Sequence, residues 1–214
     1  MTSNNELFLS RILVRMSNHK ESYTSGVSQN HRFIYSMFDK IEHGRLVWLD
    51  NSNQRQKSFL VVSEVKPRLK DKYKSYVVLE SRKINDRFFE HKTYAFKTLV
   101  NCVVCRNKKR IPLFEHDEIL AWFKQRLLKT DCALNEDMCF ISPPKALIFE
   151  HLSSDPRCNN NSNNAQTITL NVCEISGVLT ANNPQLLKDL VRNGIGRSKS
   201  FGCGLMQLVP VSDN

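Results

Sequence analysis

Residues 194–204 read Gly-Ile-Gly-Arg-Ser-Lys-Ser-Phe-Gly-Cys-Gly and hold four of the chain's seven glycines. Glycine loses more backbone freedom on folding than any other residue, so this concentration indicates a tight turn or a close approach to a ligand. Exposed backbone amides beside cations and hydroxyls are the chemistry of phosphate binding. The alternative is a capping glycine followed by a flexible turn. We predict a phosphate-binding loop formed by Gly194, Gly196, Arg197, Ser198, Lys199, Ser200, Gly202 and Gly204.

The segments on either side of this loop exclude the common nucleotide-binding arrangements. Asn183-Pro184 and the leucines that follow at helical spacing predict a helix over 184–192. The short apolar run 205–209, which ends before a proline, predicts a strand. The loop therefore leads from a helix to a strand, whereas Walker and Rossmann loops lead from a strand to a helix. Neither of those two nucleotide-binding motifs fits this stretch.

A histidine near the other end of the chain is the second candidate for chemistry. Apolar residues at helical spacing predict an amphipathic helix over 31–42, ended by Gly44. His31 would lie in its first turn, where a helix N-terminus attracts phosphate and lowers the pKa of an imidazolium. Imidazole titrates near neutral pH, so it can accept or donate a proton in catalysis. A capping or solvent-facing histidine is the alternative.

The charge of the chain favours a polyanionic partner. The formal net charge is +10. Residues 1–110 hold 22 basic and 10 acidic residues, a net +12, while residues 111–214 hold 9 and 11, a net −2. Such asymmetry is typical of nucleic-acid binding, although a merely basic protein or a solvated charged face is the alternative. The basic residues that we single out are Arg106, Lys108, Lys109 and Arg110, and then Lys66, Arg68, Lys70, Lys72 and Lys74.

The cysteine spacing and the hydropathy of the chain argue against a zinc-binding protein and against a membrane-spanning protein. Cys102 and Cys105 form a single Cys-x-x-Cys, and no second pair follows at the spacing of a zinc ribbon. We therefore expect no metal site and no cofactor, and we interpret most of the seven cysteines as small core residues in a reducing cytoplasm. Residues 1–6 lack the pattern of a signal peptide, and no apolar run approaches the ~18 residues of a membrane span.

The order of the predicted elements indicates an α+β fold. Strand, helix and three strands come first, with a second helix only poorly defined by the sequence, and then strand, helix, strands, helix and strand. This order is typical of the ferredoxin-like unit, so we predict two tandem ferredoxin-like (RRM/RAMP-like) domains over 1–91 and 92–214. The predicted strands are 7–16, 46–49, 58–63, 76–80, 94–105, 138–141, 147–149, 167–173, 175–180 and 205–209, the predicted helices are 31–42, 119–128 and 184–192, and residues 153–166 are predicted to form a mobile insertion.

Several stretches together resemble one known family. The loop with its following leucine, 194–205, resembles the glycine-rich loop of the repeat-associated RNA-binding superfamily. Its amino-acid sequence resembles that of the CasE family in particular. Gly-Val-Leu-Thr at 177–180 and Arg-Ile-Pro-Leu at 110–113 match the same family in order and spacing. Residues 31–38, His-Arg-Phe-Ile-Tyr-Ser-Met-Phe, resemble the family's His-x-x-Leu-Trp-x-x-Phe helix.

The resemblance implies a CRISPR RNA endoribonuclease of the Cascade system that acts without metal. In that family the ribose 2′-hydroxyl attacks the phosphorus and leaves a 2′,3′-cyclic phosphate and a 5′-hydroxyl. His31 would then be the general acid or base, and Arg32 would stabilise the charge on the phosphoryl oxygens. The glycine-rich loop would hold the RNA backbone, and the basic cluster 106–110 would grip the repeat hairpin. Other Cascade subunits are the implied partners.

One departure from the family pattern keeps a second hypothesis open. Family members often carry Tyr-x-x-His, and the tyrosine position is Ser28 in this chain. Tyr23 lies eight residues before His31, too far to substitute on a rigid turn. The alternative is therefore a weak or inactive hairpin-binding subunit of the same complex. A third and weaker hypothesis is a general binder of single-stranded RNA. The sequence does not show the aromatic motif of RNA-recognition domains that this hypothesis requires.

Overall fold

The structure, a computed structural model, describes residues 6–15, 26–38, 46–54, 56–152 and 165–211. Two antiparallel sheets and three α-helices form most of it, in agreement with the predicted α+β class. The elements in chain order are β1 Phe8–Val14, α1 Val27–Tyr35, β2 Leu46–Asp50, β3 Lys57–Ser63, β4 Val77–Lys83, β5 Thr93–Asn101, β6 Val103–Arg106, β7 Lys109–Pro112, α2 His116–Leu128, β8 Cys132–Ile141, β9 Lys145–Leu152, β10 Ala165–Ala181, α3 Pro184–Asn193 and β11 Gln207–Pro210.

The first sheet has the strand order of a ferredoxin-like unit, but only one of the unit's two helices is present among the described residues. Its order is β2-β3-β1-β4, with β1 antiparallel to both β3 and β4. The second helix of the unit is replaced by a single 3-10 turn, Asp71–Tyr73, in the connection from β3 to β4. That connection is rich in charge and contains Pro67, so it lacks the apolar periodicity that a packed helix requires.

The second sheet has the complete ferredoxin-like order, β11-β5-β10-β8, with α2 and α3 in the two crossovers. Strand β9 continues along the edge of β10 beyond β8, where Lys145 lies opposite Val172. Pro143 and Pro144 separate β8 from β9 because a proline cannot donate to the ladder. The β6–β7 hairpin projects after β5 as an insertion.

The cores of the two halves meet along one face. Leu7, Val47 and Val62 from the first sheet are buried in the same cluster as Phe96 and Ile175 of the second. Ion pairs reinforce this contact through α3. Lys188 Nζ lies 2.7 Å from an Asp86 carboxylate oxygen, and Arg192 Nε lies 3.1 Å from Glu64 Oε1. The proposed division of the chain at residues 91 and 92 stays a prediction, with the strands of the two sheets on either side of it.

The helix predicted over 31–42 begins earlier than its sequence indicates. Helix α1 runs from Val27 to Tyr35, so His31 lies in its second turn and the prediction of a first-turn position is wrong. Gly26 is the N-cap, and its backbone N–H donates to Gln29 Oε1 at 2.8 Å. Tertiary contacts recruit the polar residues before His31 into the helix, since Asn30 is buried and donates to Asp50 Oδ2 at 3.0 Å. The helix ends at Tyr35 with Ser36 as its C-cap, so the predicted helix is wrong at 36–38, and the predicted end at 39–42 lies outside the described residues.

Several strand boundaries also differ from the predictions. The strand predicted over 94–105 breaks at Cys102, where β5 gives way to the projecting β6–β7 hairpin. The short strands predicted at 138–141 and 147–149 extend to 132–141 and 145–152, because pairing with β10 overrides their polar composition. The insertion predicted at 153–166 falls mostly outside the described residues. None of the helices in the described ranges is long and apolar enough to span a membrane.

The two residues of the Cys-x-x-Cys pair point in different directions. Cys102 is buried, with its Sγ 2.6 Å from Cys173 Sγ, whereas Cys105 is exposed. Cys132 and Cys203 are also buried, and burial raises the pKa of the Cys203 thiol to about 12. Of the cysteines interpreted as core residues, Cys132, Cys173 and Cys203 are buried, Cys139 is half-buried, and Cys158 lies outside the described residues. Within the described ranges, no three His, Cys, Asp or Glu residues cluster as metal ligands.

Candidate functional site

The glycine-rich loop follows the unusual backbone path that its composition predicts. Helix α3 ends where the Gly194 N–H donates to Leu190 O at 2.8 Å. A 3-10 turn, Lys199–Phe201, follows, and β11 begins at Gln207. Ser198 has a φ of 63°, in the left-handed region that few residues other than glycine adopt. The four glycines of the loop all have positive φ: Gly194 62°, Gly196 77°, Gly202 82° and Gly204 86°.

Gly204 closes the base of the loop through backbone contacts. A Cβ atom at this position would lie 2.2 Å from the carbonyl oxygen of Ile195. The Ile195 N–H donates to Gly204 O at 2.8 Å, and the Gly204 N–H donates to Leu99 O at 2.7 Å. Only a residue without a side chain allows this approach, so Gly204 fixes the two ends of the loop against each other and against β5.

Asn101, at the end of β5, supports the loop from below. Its Nδ2 donates to Ser198 Oγ at 2.8 Å, and its Oδ1 accepts from the Asn171 N–H at 3.1 Å. Asn101 is buried, and its backbone forms an antiparallel bridge with Arg197. These bonds hold Ser198 in its strained conformation, because strain persists only where the surroundings determine it.

We expect Asn101→Ala to lower the free energy of unfolding by about 1–3 kcal/mol, because the buried Asn171 N–H loses its acceptor. Urea denaturation measures this change. Asn182→Ala is the control, since Asn182 is exposed and its Nδ2 lies 3.4 Å from Asp131 Oδ1. The control should lose less than about 0.5 kcal/mol. Equal losses in the two variants would contradict a supporting role for Asn101.

The loop packs against the first sheet and against α1, the helix that carries His31 and Arg32. Its 3-10 turn, Lys199–Phe201, contacts both β2 and α1. A Cβ on Gly202 would lie 3.0 Å from the Trp48 ring on β2. The glycine-rich loop and the helix that bears His31 therefore meet, although they come from opposite ends of the chain. A shared site that uses both requires this contact.

Strand β9 holds the other side of α1. Ser28 Oγ donates to Glu150 O at 3.1 Å, and the rings of Phe149 and Phe201 have centroids 5.0 Å apart. Ser28, which stands at the family's tyrosine position, thus fastens α1 to β9. Tyr23 lies outside the described residues. The three elements α1, β9 and the 3-10 turn surround one corner of the molecule.

The imidazole of His31 stacks on a tyrosine that the sequence reasoning did not select. The ring centroids of His31 and Tyr35 are 4.1 Å apart, and the ring planes are inclined by 34°. Tyr35 lies one helical turn after His31 and is half-buried, and burial raises the pKa of its phenol. The i, i+4 spacing was the available signal, since such residues lie on the same helix face. Arg32 is exposed to solvent beside them.

The basic residues predicted to bind a polyanion lie on two exposed turns. The β6–β7 turn presents four of them, and its central residues Asn107 and Lys108 have φ of 51° and 63°. The other turn is the connection from β3 to β4, where the Arg68 N–H donates to Met37 O at 2.7 Å just after α1. The members of the two turns are Arg106, Lys108, Lys109 and Arg110, and Lys66, Arg68, Lys70, Lys72 and Lys74.

A groove of about 580 Å³ joins the β6–β7 hairpin to the glycine-rich loop. Arg110 and Phe114 line it on the hairpin side, and Ser198 and Phe201 line it on the loop side. Phe201 also contacts β9, which in turn holds α1. The groove therefore joins the β6–β7 hairpin to the glycine-rich loop, and the 3-10 turn of that loop contacts the histidine helix α1.

Comparison with known proteins identifies relatives of this chain. The profile of a family described as CRISPR associated protein matches residues 7–210. The CRISPR system Cascade subunit CasE of Escherichia coli (strain K12) is 36% identical over 102 residues, which is 48% of this chain and 44% of that protein. The match thus spans less than half of the relative's length.

Two solved structures share the fold. The structure of "CRISPR endoribonuclease Cse3 bound to 19 nt RNA" has a TM-score of 0.78 at 17% identity and covers 96% of this chain and 100% of that one. The CRISPR-associated protein Cas6e from Escherichia coli str. K-12 has a TM-score of 0.66 at 18% identity and covers 95% and 100%. At these identities the likeness concerns the fold, two tandem ferredoxin-like units, which confirms the predicted fold class.

Proposed function

Because the chain belongs to the CRISPR associated protein family, we propose that it is an endoribonuclease that cleaves CRISPR precursor RNA at the repeat hairpin. The observation that carries the proposal is the contact between α1, which bears His31 and Arg32, and the 3-10 turn of the glycine-rich loop. The protein remains bound to the mature guide RNA and joins a Cascade complex, as the name of its E. coli relative suggests.

The reaction is an internal transesterification that needs no metal. The 2′-oxygen upstream of the scissile bond attacks the phosphorus, and the bond to the 5′-oxygen of the next nucleotide breaks. The products are a 2′,3′-cyclic phosphate and a 5′-hydroxyl. His31 accepts the proton of the 2′-hydroxyl or donates one to the leaving oxygen, and Arg32 stabilises the charge that grows on the phosphoryl oxygens. Tyr35 fixes the plane of the His31 ring by stacking.

The remaining candidate residues bind RNA rather than react with it. The left-handed residues of the loop place Arg197, Lys199 and Ser200 on one turn, and two cations beside a hydroxyl suit the phosphate next to the scissile bond. The β6–β7 turn carries four exposed cations and borders the same groove. Paired RNA is recognised mostly by shape and phosphate, so this turn grips the repeat hairpin.

The proposal predicts cleavage of the cognate repeat RNA by the purified protein in the presence of EDTA. The expected products are one 5′ fragment that ends in a 2′,3′-cyclic phosphate and one 3′ fragment that begins with a 5′-hydroxyl. Gel electrophoresis after acid or phosphatase treatment distinguishes these ends, and an RNA with a scrambled hairpin is the control. Cleavage that requires added Mg²⁺, or equal cleavage of the scrambled RNA, contradicts the proposal.

A second function, hairpin binding without cleavage, is favoured by one observation. Ser28 occupies the tyrosine position of the family pattern and is engaged with Glu150 O, so it holds α1 rather than sharing a proton with the substrate. Tight binding of the repeat hairpin without scission under the same conditions selects this function. A catalytic group contributes roughly 10²–10⁴-fold, so the loss of one group slows an enzyme more readily than it silences it.

A further inference from the structure

We propose that Arg126, which lies over the Trp122 ring, and Arg197, on the glycine-rich loop, clamp one backbone phosphate of the bound RNA. Arg197 belongs to the glycine-rich loop, whereas Arg126 lies in α2 and carries no sequence signal of its own. The inference deepens the proposed function, because it rests on RNA as the ligand and adds a site on a different helix.

Trp122 brings the two arginines to the same place. The guanidinium carbon of Arg126 lies 4.5 Å from the centre of the Trp122 ring. On the loop, Gly196 lies beside the same indole, where a Cβ would be in ordinary contact with its Cη2 atom at 3.4 Å. Arg197 follows directly and is fixed by its backbone bridge to Asn101. The Arg126 guanidinium thus lies over the same ring that the residue before Arg197 approaches.

The side chain of Arg126 carries a buried hydrogen-bond donor that the described part of the protein does not satisfy. Its Nε is buried and has no hydrogen-bond partner among the described residues. Neither Arg126 nor Arg197 has a carboxylate partner in the part of the chain that the structure describes. Burial, and then the positive charge of Arg197, lower the pKa of Arg126. The positive charges of Arg126 and Arg197 repel each other, and an anion bound by both relieves that repulsion.

A phosphate of RNA is the anion that fits. Guanidinium groups bind phosphate through pairs of parallel N–H bonds, and stacking on an indole keeps such a group planar and oriented. The ring of Trp122 also borders a second groove, which Arg106 of the β6–β7 hairpin lines. An RNA hairpin that is held by the basic β6–β7 turn therefore lies next to Trp122 before its strand reaches the glycine-rich loop.

The test compares Arg126→Met, Arg197→Met and the double variant. The probe is the repeat hairpin with the attacking 2′-hydroxyl replaced by hydrogen, so that it binds without being cut. Each single substitution is expected to weaken binding about ten-fold, as for one charge-assisted hydrogen bond. The slope of log K against log salt should fall by about one in the double variant, which loses one phosphate contact. Lys124→Met, on the same helix but paired with Glu136, is the control and should bind within about two-fold of the wild type.

The melting temperature without RNA distinguishes a role of Arg126 in binding from a role in stability. Arg126→Met keeps an apolar stem over Trp122 and removes a repelled charge, so the melting temperature without RNA should stay the same or rise. Normal hairpin binding by both single variants overturns the inference while leaving the proposed function intact. A lower melting temperature that accounts for the lost affinity also overturns it. If the wild type binds no hairpin, the proposed function itself fails, and the inference fails with it.

Discussion

Replacing His31 by alanine is expected to reduce the rate of repeat-RNA cleavage about 10²–10⁴-fold, the contribution of one general acid or base. His31 lies in the middle of α1 next to Tyr35, and α1 contacts the turn Lys199–Phe201. Because the proposed role is proton transfer, binding of the uncut hairpin should change by less than about two-fold. Single-turnover cleavage and filter binding measure the two quantities separately.

His116→Ala is the matched control for this experiment. His116 is exposed at the start of α2, with its Nδ1 3.1 Å from Asp117 Oδ1. Its removal should leave the cleavage rate within about two-fold. Wild-type cleavage by the His31 variant would refute the catalytic assignment. A parallel loss of binding and cleavage would show instead that His31 holds the RNA.

Gly204→Ala is expected to lower the free energy of unfolding by about 3 kcal/mol or more. A left-handed conformation costs an alanine roughly 1–2 kcal/mol, and overpacking a closed site costs roughly 1–3 kcal/mol more. The added Cβ would lie 2.2 Å from Ile195 O, at a residue with φ of 86°. Because the loop must open to accept it, hairpin binding should weaken as well. Urea denaturation and hairpin titration measure both effects.

Gly196→Ala separates the two causes of this loss. Gly196 also has a positive φ, 77°, but its added Cβ would lie 3.4 Å from Trp122, an ordinary contact. Only the conformational cost of about 1–2 kcal/mol is then expected. If the two alanine variants were equally stable, backbone contact at Gly204 would not be what closes the loop.

Local patterns in the sequence predicted the framework of the fold. The helix spacing over 184–192 and the apolar run 205–209 placed the glycine-rich loop between a helix and a strand, and the structure confirms this order. Helix periodicity and strand alternation depend on nearby residues, so they are visible in the chain itself. The same signals gave the ferredoxin-like order of the second half.

The start of α1, the helix that carries His31, could not be predicted from local sequence patterns. Residues 28–30 are polar and favour a loop by composition, yet Asn30 is buried against Asp50 and Ser28 bonds to Glu150 O. These contacts lengthen α1 at its start and move His31 into the second turn. The Ser28 bond joins residues 122 positions apart, and no local pattern carries that information.

What the sequence by itself determined is the kind of chemistry: a glycine-bent loop with cations and hydroxyls, a histidine on an amphipathic helix, and a basic N-terminal half. Only the tertiary structure decided which groups meet. It set Tyr35 on the His31 ring, Asn101 under Ser198 and Arg126 on Trp122 near Arg197. The physical reason is that backbone propensities and periodicity act over a few residues, whereas these contacts arise from the packing of sheets and helices that the whole chain builds.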